Sequence, residues 1–369
     1  MKPGVTVALF PAASGEPGEY LTLLHDAVVR AGVRCVAAPA LTMRWARGDA
    51  RQVDVVHLHW LEFIAPSDRS RFVGTAKTAR RAARTCRVVR TLRRRGIAVV
   101  WTVHNLAPHE PVHPRIERWL QRSVLRMADA AIVHSEHART RVASCLGYRS
   151  KLHSIPHGNY LEAYPRPIRS AATLRTELDI RSDAFVYLSF GQVRAYKRLP
   201  ELLDAFRSLS DENAVLLVAG EARDPHEAAR VRERAAKDPR VVLDLRRIPV
   251  DEVAEVHRVA DAAVCAYDGM FSSGSVLLAL SEGLPVIVPS DSTGTELAET
   301  PAVEPIGAGS LADALRAVRR GDQRVRQDAA LAAAARYDWR AVGTQTAHVY
   351  ALAVERRAAT AQRGAVVDR

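Results

Sequence analysis

The sequence predicts an α/β protein built as two doubly wound parallel sheets, and three observations carry that prediction. Apolar, β-branched runs of strand length alternate with segments of helical periodicity. The alternation halts at a proline-containing stretch, Tyr164 to Ser170, and then begins again. The length of 369 residues suits two domains of ordinary size, and 48% apolar residues let each bury a core.

In order, the first half reads as strand "VTVALF", a helix from Tyr20 to Ala31, strands "RCVAAP" and "VDVVHLHW", a basic helix, strand "IAVVWTVHN", a helix from Ile116 to Met127, and strand "AAIVHS". Strands separated by helices imply parallel βαβ units. In the second half the strands are "AFVYLSFGQV", "AVLLVAGEA", "RVVLDLRRI", "AAVCAYDG" and "PVIVPSD". Its helices are Leu199–Leu209, Pro225–Lys237, Asp251–Val259 and Ser275–Glu282. The expected domains are 1–165 and 166–340, with 341–369 a long amphipathic helix that packs back on the first domain and frays beyond Ala358. Two such domains leave a cleft between their carboxyl-end edges, where ligands lie in open parallel sheets.

No stretch approaches the roughly 20 apolar residues of a membrane span, and the short run before Pro11 reads as a first strand, not a signal peptide. Cys35, Cys86, Cys145 and Cys265 are scattered, which makes a reducing cytoplasmic compartment the default. The net charge of +12 is local: Arg69 to Arg95 holds eleven Arg or Lys and no Asp or Glu. Helical spacing gives this segment a thin apolar stripe of Phe72, Ala76, Ala79, Ala83, Cys86 and Val89, with Arg80, Arg84 and Arg87 elsewhere on its surface. An anionic membrane surface suits such a helix, and a plain solvated face accounts for the charge equally well. Nucleic acid does not suit it: Phe72 is its sole aromatic and no recognition motif accompanies it.

Residues 57 to 157 contain nine of the thirteen histidines, and the strands "HLHW" and "TVHN" end in them. His57 and His59, two apart on a strand, project from one face. No acidic or cysteine partner stands at a recognisable metal spacing, and a histidine satisfied inside the core explains part of the enrichment. His104 is different, because Asn105, His109 and Glu110 follow it in the same proline-rich loop. Polar groups therefore converge at that strand end.

Two motifs in the second half suit an anion. In "FGQVRAYKRLPELL", Gly191 permits close backbone approach, and Arg194 and Lys197 stand just before a helix. In "SSGSVLLALSEGLPVIVP", Ser272 and Ser273 are good N-caps, and the helix from Ser275 offers free N–H groups past Gly274. The chain has no G-x-G-x-x-G after a strand, no Walker loop and no G-x-S-x-G elbow, so a dehydrogenase, a P-loop nucleotidase or an α/β-hydrolase is unsupported.

Taken together, "DVVHLHW", "TVHNLAPHE", "SIPHGNY", "FGQVRAYKRLPELLDAF", "SSGSVLLALSEGLPVIVP" and "YDWRAV" with Tyr350 resemble, in order and spacing, the GT-B glycosyltransferases of the Leloir group. The resemblance spans nearly the whole chain and is greatest to the exopolysaccharide and mannosyltransferase-like branch of the retaining-type superfamily. It implies two Rossmann-like domains facing across a cleft and hexose transfer from a GDP- or UDP-sugar to a lipid-linked or glycan hydroxyl. By that similarity His104 lies beside the anomeric carbon, with Glu62, Glu110 and His104 as candidate bases and His59, Asn105 and His157 lining the cleft. Arg194, Lys197, Ser273, Gly274 and Ser275 would hold the donor diphosphate, and Arg247 and Ile248 would frame the nucleobase. No metal or other cofactor is implied, since fixed cations and N–H dipoles suffice for a departing diphosphate.

The pattern also departs from the family. Met270 and Leu278 replace a common pair of glutamates, and Gln192 stands where many members carry Arg. The missing glutamates suggest, as one alternative, a catalytically idle GT-B protein that binds nucleotide or a partner; transfer to a soluble small-molecule acceptor is another. An inverting or a retaining course both fit the residues.

Overall fold

A computed structural model describes residues 4–16, 18–38, 40–106, 111–267, 273–290, 300–307 and 309–367. It divides into two units, Met1–His157 with Trp339–Arg369, and Gly158–Asp338. The first crossing falls eight residues before the expected boundary at 165, and hydrogen bonds explain why. Asn159 N–H donates to the Tyr337 carbonyl at 2.8 Å, and Tyr160 N–H to Ser281 Oγ at 2.9 Å, so the chain is already tied into the second unit there.

The first unit contains β1 (Thr6–Phe10), β2 (Arg34–Cys35), β3 (Val55–Leu58), β4 (Ala98–Thr102), β5 (Ala130–Val133) and β6 (Leu152–Ser154). They form one parallel sheet in the order β2-β1-β3-β4-β5-β6. β1, β3, β4 and β5 are buried along their whole length, as continuous Val, Ile and Ala runs must be when helices cover both faces. The helix Trp339–Val367 belongs to this unit, placing Trp339, Val342, Val349, Tyr350 and Ala353 in its core. A Cβ on Gly343 would meet the Ala27 carbonyl at 2.3 Å, so glycine is what lets this helix press on Tyr20–Arg30. The helix does not fray at Ala358; its Ala-, Gln- and Arg-rich end has high helix propensity and the backbone stays helical to Val367.

The second unit contains β7 (Phe185–Phe190), β8 (Ala214–Ala219), β9 (Val241–Asp244), β10 (Ala262–Val264), β11 (Val286–Pro289) and β12 (Val303–Ile306). Their order, β12-β11-β10-β7-β8-β9, is the dinucleotide-fold order read backwards, with its switch between β7 and β10. In the first sheet the switch lies between β1 and β3. Ligand sites are therefore expected at the carboxyl ends of those strands.

The basic helix spans Gly74–Arg94, and its buried stripe matches the predicted one only at Cys86 and Val89. Thr78, Ala82, Thr85, Cys86, Val89 and Leu92 face inward, whereas Ala76, Ala79 and Ala83 are exposed and Phe72 is 91% exposed. Alanine fits either face, and Thr78 settles the rotation by accepting the Asp68 N–H at 2.9 Å. Among the described residues no helix is long and apolar enough to cross a membrane.

Candidate active site

Four neighbouring strands of the first sheet each deliver a histidine at or just past their carboxyl ends. His59 follows β3, His104 follows β4 by two residues, His134 follows β5, and His157 follows β6 by three. Tyr20, the first residue of its helix, stands among them, its ring 5.1 Å from His104, 5.7 Å from His134 and 4.7 Å from His157. Trp60 stacks flat on His104 at 4.1 Å and 15°. All four histidines are buried.

The hydrogen bonds set the protons. A carbonyl only accepts, so Ile155 O, 3.1 Å away, places a proton on His134 Nδ1. Neutral His134 then accepts at Nε2 from His104 Nδ1–H at 3.4 Å. Neutral His104 in turn accepts at Nε2 from His59 Nδ1–H at 3.1 Å. The chain ends at His59 Nε2, a buried lone pair without a hydrogen-bond partner. Burial supplies the neutrality: it pushes His134 down to about 3 and holds His59 and His104 well below the usual imidazole value, with neighbouring rings adding to the effect. Both nitrogens of His104 are thus engaged inside the protein.

His57 is a core residue, bonded at 2.8 Å both to Tyr350 Oη and to Thr102 Oγ1. Glu62 lies in the turn Leu61–Ile64, half-buried, its carboxyl raised first by burial and then by Glu117. Asn105 is half-buried, its carbonyl accepting from Gln121 Nε2 at 3.4 Å. Glu110 lies outside the described residues, as do His109, Met270 and Ser272. Among the described residues no group of three or more His, Cys, Asp or Glu is arranged to hold a metal ion.

In the second unit, β7 ends at Phe190 and the chain turns at Gly191, whose φ of +104° lies in glycine's region. A Cβ there would sit 2.7 Å from Lys197 Nζ, and one on Gly220 would sit 2.3 Å from the Gly191 carbonyl. Two glycines therefore let the loop fold down and seat Lys197, which donates to the Phe190 carbonyl at 2.7 Å and is buried. Burial pushes its amine down to about 8, so an anionic ligand would strengthen its charge. Tyr267 joins two of the predicted clusters. Lys197 Nζ lies 5.9 Å from its ring centre, and its hydroxyl is 2.8 Å from Ser273 Oγ.

Ser273 caps the helix Gly274–Ser281 by accepting the Val276 N–H at 3.2 Å. Gly274 and Ser275 form its first turn, where N–H groups and the helix dipole favour an anion. Arg194 donates to Gln192 Oε1 at 3.3 Å, so the glutamine orients the arginine that follows it. Arg247 is exposed and Ile248 packs against the core; they follow β9, two strands from β7.

Sequence reasoning left out His134, Tyr20, Trp60 and Tyr267 as site residues. A signal for His134 was present, because "AAIVHS" ends in histidine as "HLHW" and "TVHN" do. Tyr20 gave none: it opens a helix far away in sequence.

Residues 4–162 match the Glycosyltransferase Family 4 model, and residues 184–319 match the Glycosyl transferases group 1 model. The chain is 29% identical over 290 residues to the GDP-mannose:glycolipid 4-beta-D-mannosyltransferase of Xanthomonas campestris pv. campestris, across 78% of this chain and 74% of that one. Anabaena HepE, solved in complex with UDP and glucose, superposes with a TM-score of 0.69 at 15% identity, over 94% of this chain and 99% of that one. Sucrose-phosphate synthase from Thermosynechococcus elongatus gives 0.67 at 16% identity, over 94% and 98%. Each of the two Rossmann-like sheets thus falls within a glycosyltransferase model, family 4 for the first and group 1 for the second, and the chain is a glycosyltransferase of GT-B fold that uses a nucleotide-sugar donor.

Proposed function

We propose that this glycosyltransferase moves a mannosyl group from GDP-mannose to a hydroxyl of a lipid-linked glycan, without a metal. The observation that carries the reading is the alignment with the Xanthomonas GDP-mannose:glycolipid transferase over 78% of the chain. The site chemistry agrees with it. Glu62, whose raised carboxyl is the stronger base for it, removes the acceptor proton, and the freed oxygen attacks the anomeric carbon. The bond to the diphosphate breaks, and the charge that develops is met by Lys197, Arg194 and the N–H groups of Ser273, Gly274 and Ser275. His104 and His59, held neutral by burial, form with His157 and Asn105 a polar wall that orients the sugar, and Arg247 and Ile248 frame the nucleobase.

The acceptor reading draws on the surface of the first unit. Lys77, Arg80, Arg81, Arg84, Arg87 and Arg90 are exposed along one helix, and Phe63 and Phe72 in the preceding segment are 68% and 91% exposed. Cations beside bare aromatics suit an anionic bilayer face, where each cation contributes about 1 kcal/mol.

The test pairs melting curves in GDP, UDP and dTDP with transfer assays using GDP-mannose and a polyprenyl-diphosphate-linked oligosaccharide. GDP is expected to raise the melting temperature most, and lipid-linked product is expected to form equally well in EDTA. A response to UDP alone would sink the donor assignment, and transfer confined to soluble acceptors would sink the lipid one.

A further inference from the structure

At the opposite, amino-terminal edge of the first sheet, four cations gather around Asp129, the residue just before β5. Arg93 Nη2 lies 3.3 Å and Arg357 Nη1 3.6 Å from Asp129 Oδ1. Arg356 donates to the Asp129 carbonyl at 3.2 Å, and Lys151 Nζ donates to the carbonyls of Ala128 and Arg126 at 2.9 and 2.8 Å. One carboxylate faces four positive groups, leaving an excess of three charges. Asp129 also accepts the Val99 N–H at 2.9 Å, which occupies its other oxygen. Arg357 is 7% exposed, yet its Nε–H and that of Arg93 are buried without a hydrogen-bond acceptor among the described residues.

Clamping the carboxyl-terminal helix to the sheet explains the contacts with Asp129. It does not explain two buried guanidinium donors aimed at nothing, since such groups are paired in the great majority of cases and costly when they are not. Nor does it explain the surplus charge: Lys151 and Arg357 are depressed first by burial, and repulsion from Arg93 adds to that. A tetrahedral oxyanion meets both needs, because arginine forks match its geometry.

We propose that Arg93, Arg357, Arg356 and Lys151 form an oxyanion site for a phosphate group, separate from the sugar-transfer site at the other end of the strands. The ligand is either free phosphate or the phosphate of a lipid headgroup. The side chain of Arg93 is a quarter exposed and Arg356 is exposed, so the site opens to solvent and adjoins the end of the basic helix.

The experiment follows the melting temperature of the full chain against inorganic phosphate and against potassium chloride at matched ionic strength, in a Lys197→Met background that removes the diphosphate cradle. The expected result is a saturable rise with phosphate beyond the chloride curve. Arg93→Lys and Arg357→Lys, which keep the charge but delete the Nε–H, should raise the midpoint concentration about tenfold. If Arg357→Lys does not fold, Arg356→Gln at its exposed position supplies the same comparison. Sedimentation with pure phosphatidylcholine vesicles and with equimolar phosphatidylcholine and phosphatidylglycerol then distinguishes the sources. Arg357-dependent pelleting with the anionic vesicles identifies a lipid phosphate, whereas a phosphate response without pelleting identifies the free ion. Superimposed phosphate and chloride curves, or a phosphate response unchanged in the variants, would overturn the proposal.

Discussion

The carboxyl-end edges of the two sheets are built alike and charged differently, one neutral and one cationic. Both lie at a topological switch, and both take their chemistry from residues just past strand ends. The first edge carries four buried imidazoles, and three of them, His59, His104 and His134, are kept neutral by burial and locked by a single carbonyl, Ile155 O, into one pattern of donors and acceptors. The second seats a lysine and a helix N-terminus around Tyr267. One parallel-sheet plan thus supplies an uncharged edge and a cationic one, and the difference lies in whether the strand-end side chain is desolvated among its like or set against backbone dipoles.

The largest expected effect would break this division of labour. Glu62→Gln should lower transfer by about 10²- to 10⁴-fold while GDP still raises the melting temperature, because the base is gone and the cradle intact. If transfer survives, the base lies elsewhere. Next, Lys197→Met should weaken GDP binding about ten- to a hundredfold, measured by calorimetry, since a buried charge-assisted contact is lost. His134→Asn should leave that affinity alone; an equal loss would mean that the two edges do not have separate roles.

Gly191→Ala tests the seat of the lysine. The added Cβ needs a left-handed φ and meets Nζ at 2.7 Å, so denaturant unfolding should show a loss of about 1–3 kcal/mol together with weaker GDP binding.

The neutrality of the first edge and of His57 beneath it has a pH signature. Folded His57 has its value lowered to about 3 against an unfolded 6.5, so between those values the unfolded chain holds more protons. Its contribution is complete above about pH 6.5 and is lost progressively as pH falls toward 3, about 2 kcal/mol being lost at pH 5. His57→Gln should flatten the melting temperature between pH 7 and 5, and an unchanged slope would show that this ring is not held neutral. The smallest effect is Tyr350→Phe, which removes the partner of His57 Nδ1 and should cost about 1 kcal/mol in chemical unfolding.

Much of the fold was legible because fully buried parallel strands are continuous apolar runs, and "VVHL", "AVVWT" and "AAIV" stand out as such. The short strands β6 and β12 were missed, since three or four residues of mixed polarity carry no period. The rotation of the basic helix was misread for a related reason: alanines on both faces leave the pattern degenerate, and a threonine hydroxyl bound to a distant amide decides it. At the site, His59, His104, Lys197 and Ser273 were marked by position at strand and helix ends. Tyr20 and the order of donors along the imidazoles were not.

By itself the sequence determined where strands and helices fall, that two sheets would be parallel, and which residues would reach their carboxyl edges, because all of these follow from local polarity and periodicity. Tertiary structure alone decided that four of those edges would meet around Tyr20, that Tyr267 would join a lysine to a helix cap, and that Arg357 would face Asp129 from 228 residues away in the chain. Proton positions and charge compensation depend on desolvation and on partners remote in sequence, and no local pattern encodes them.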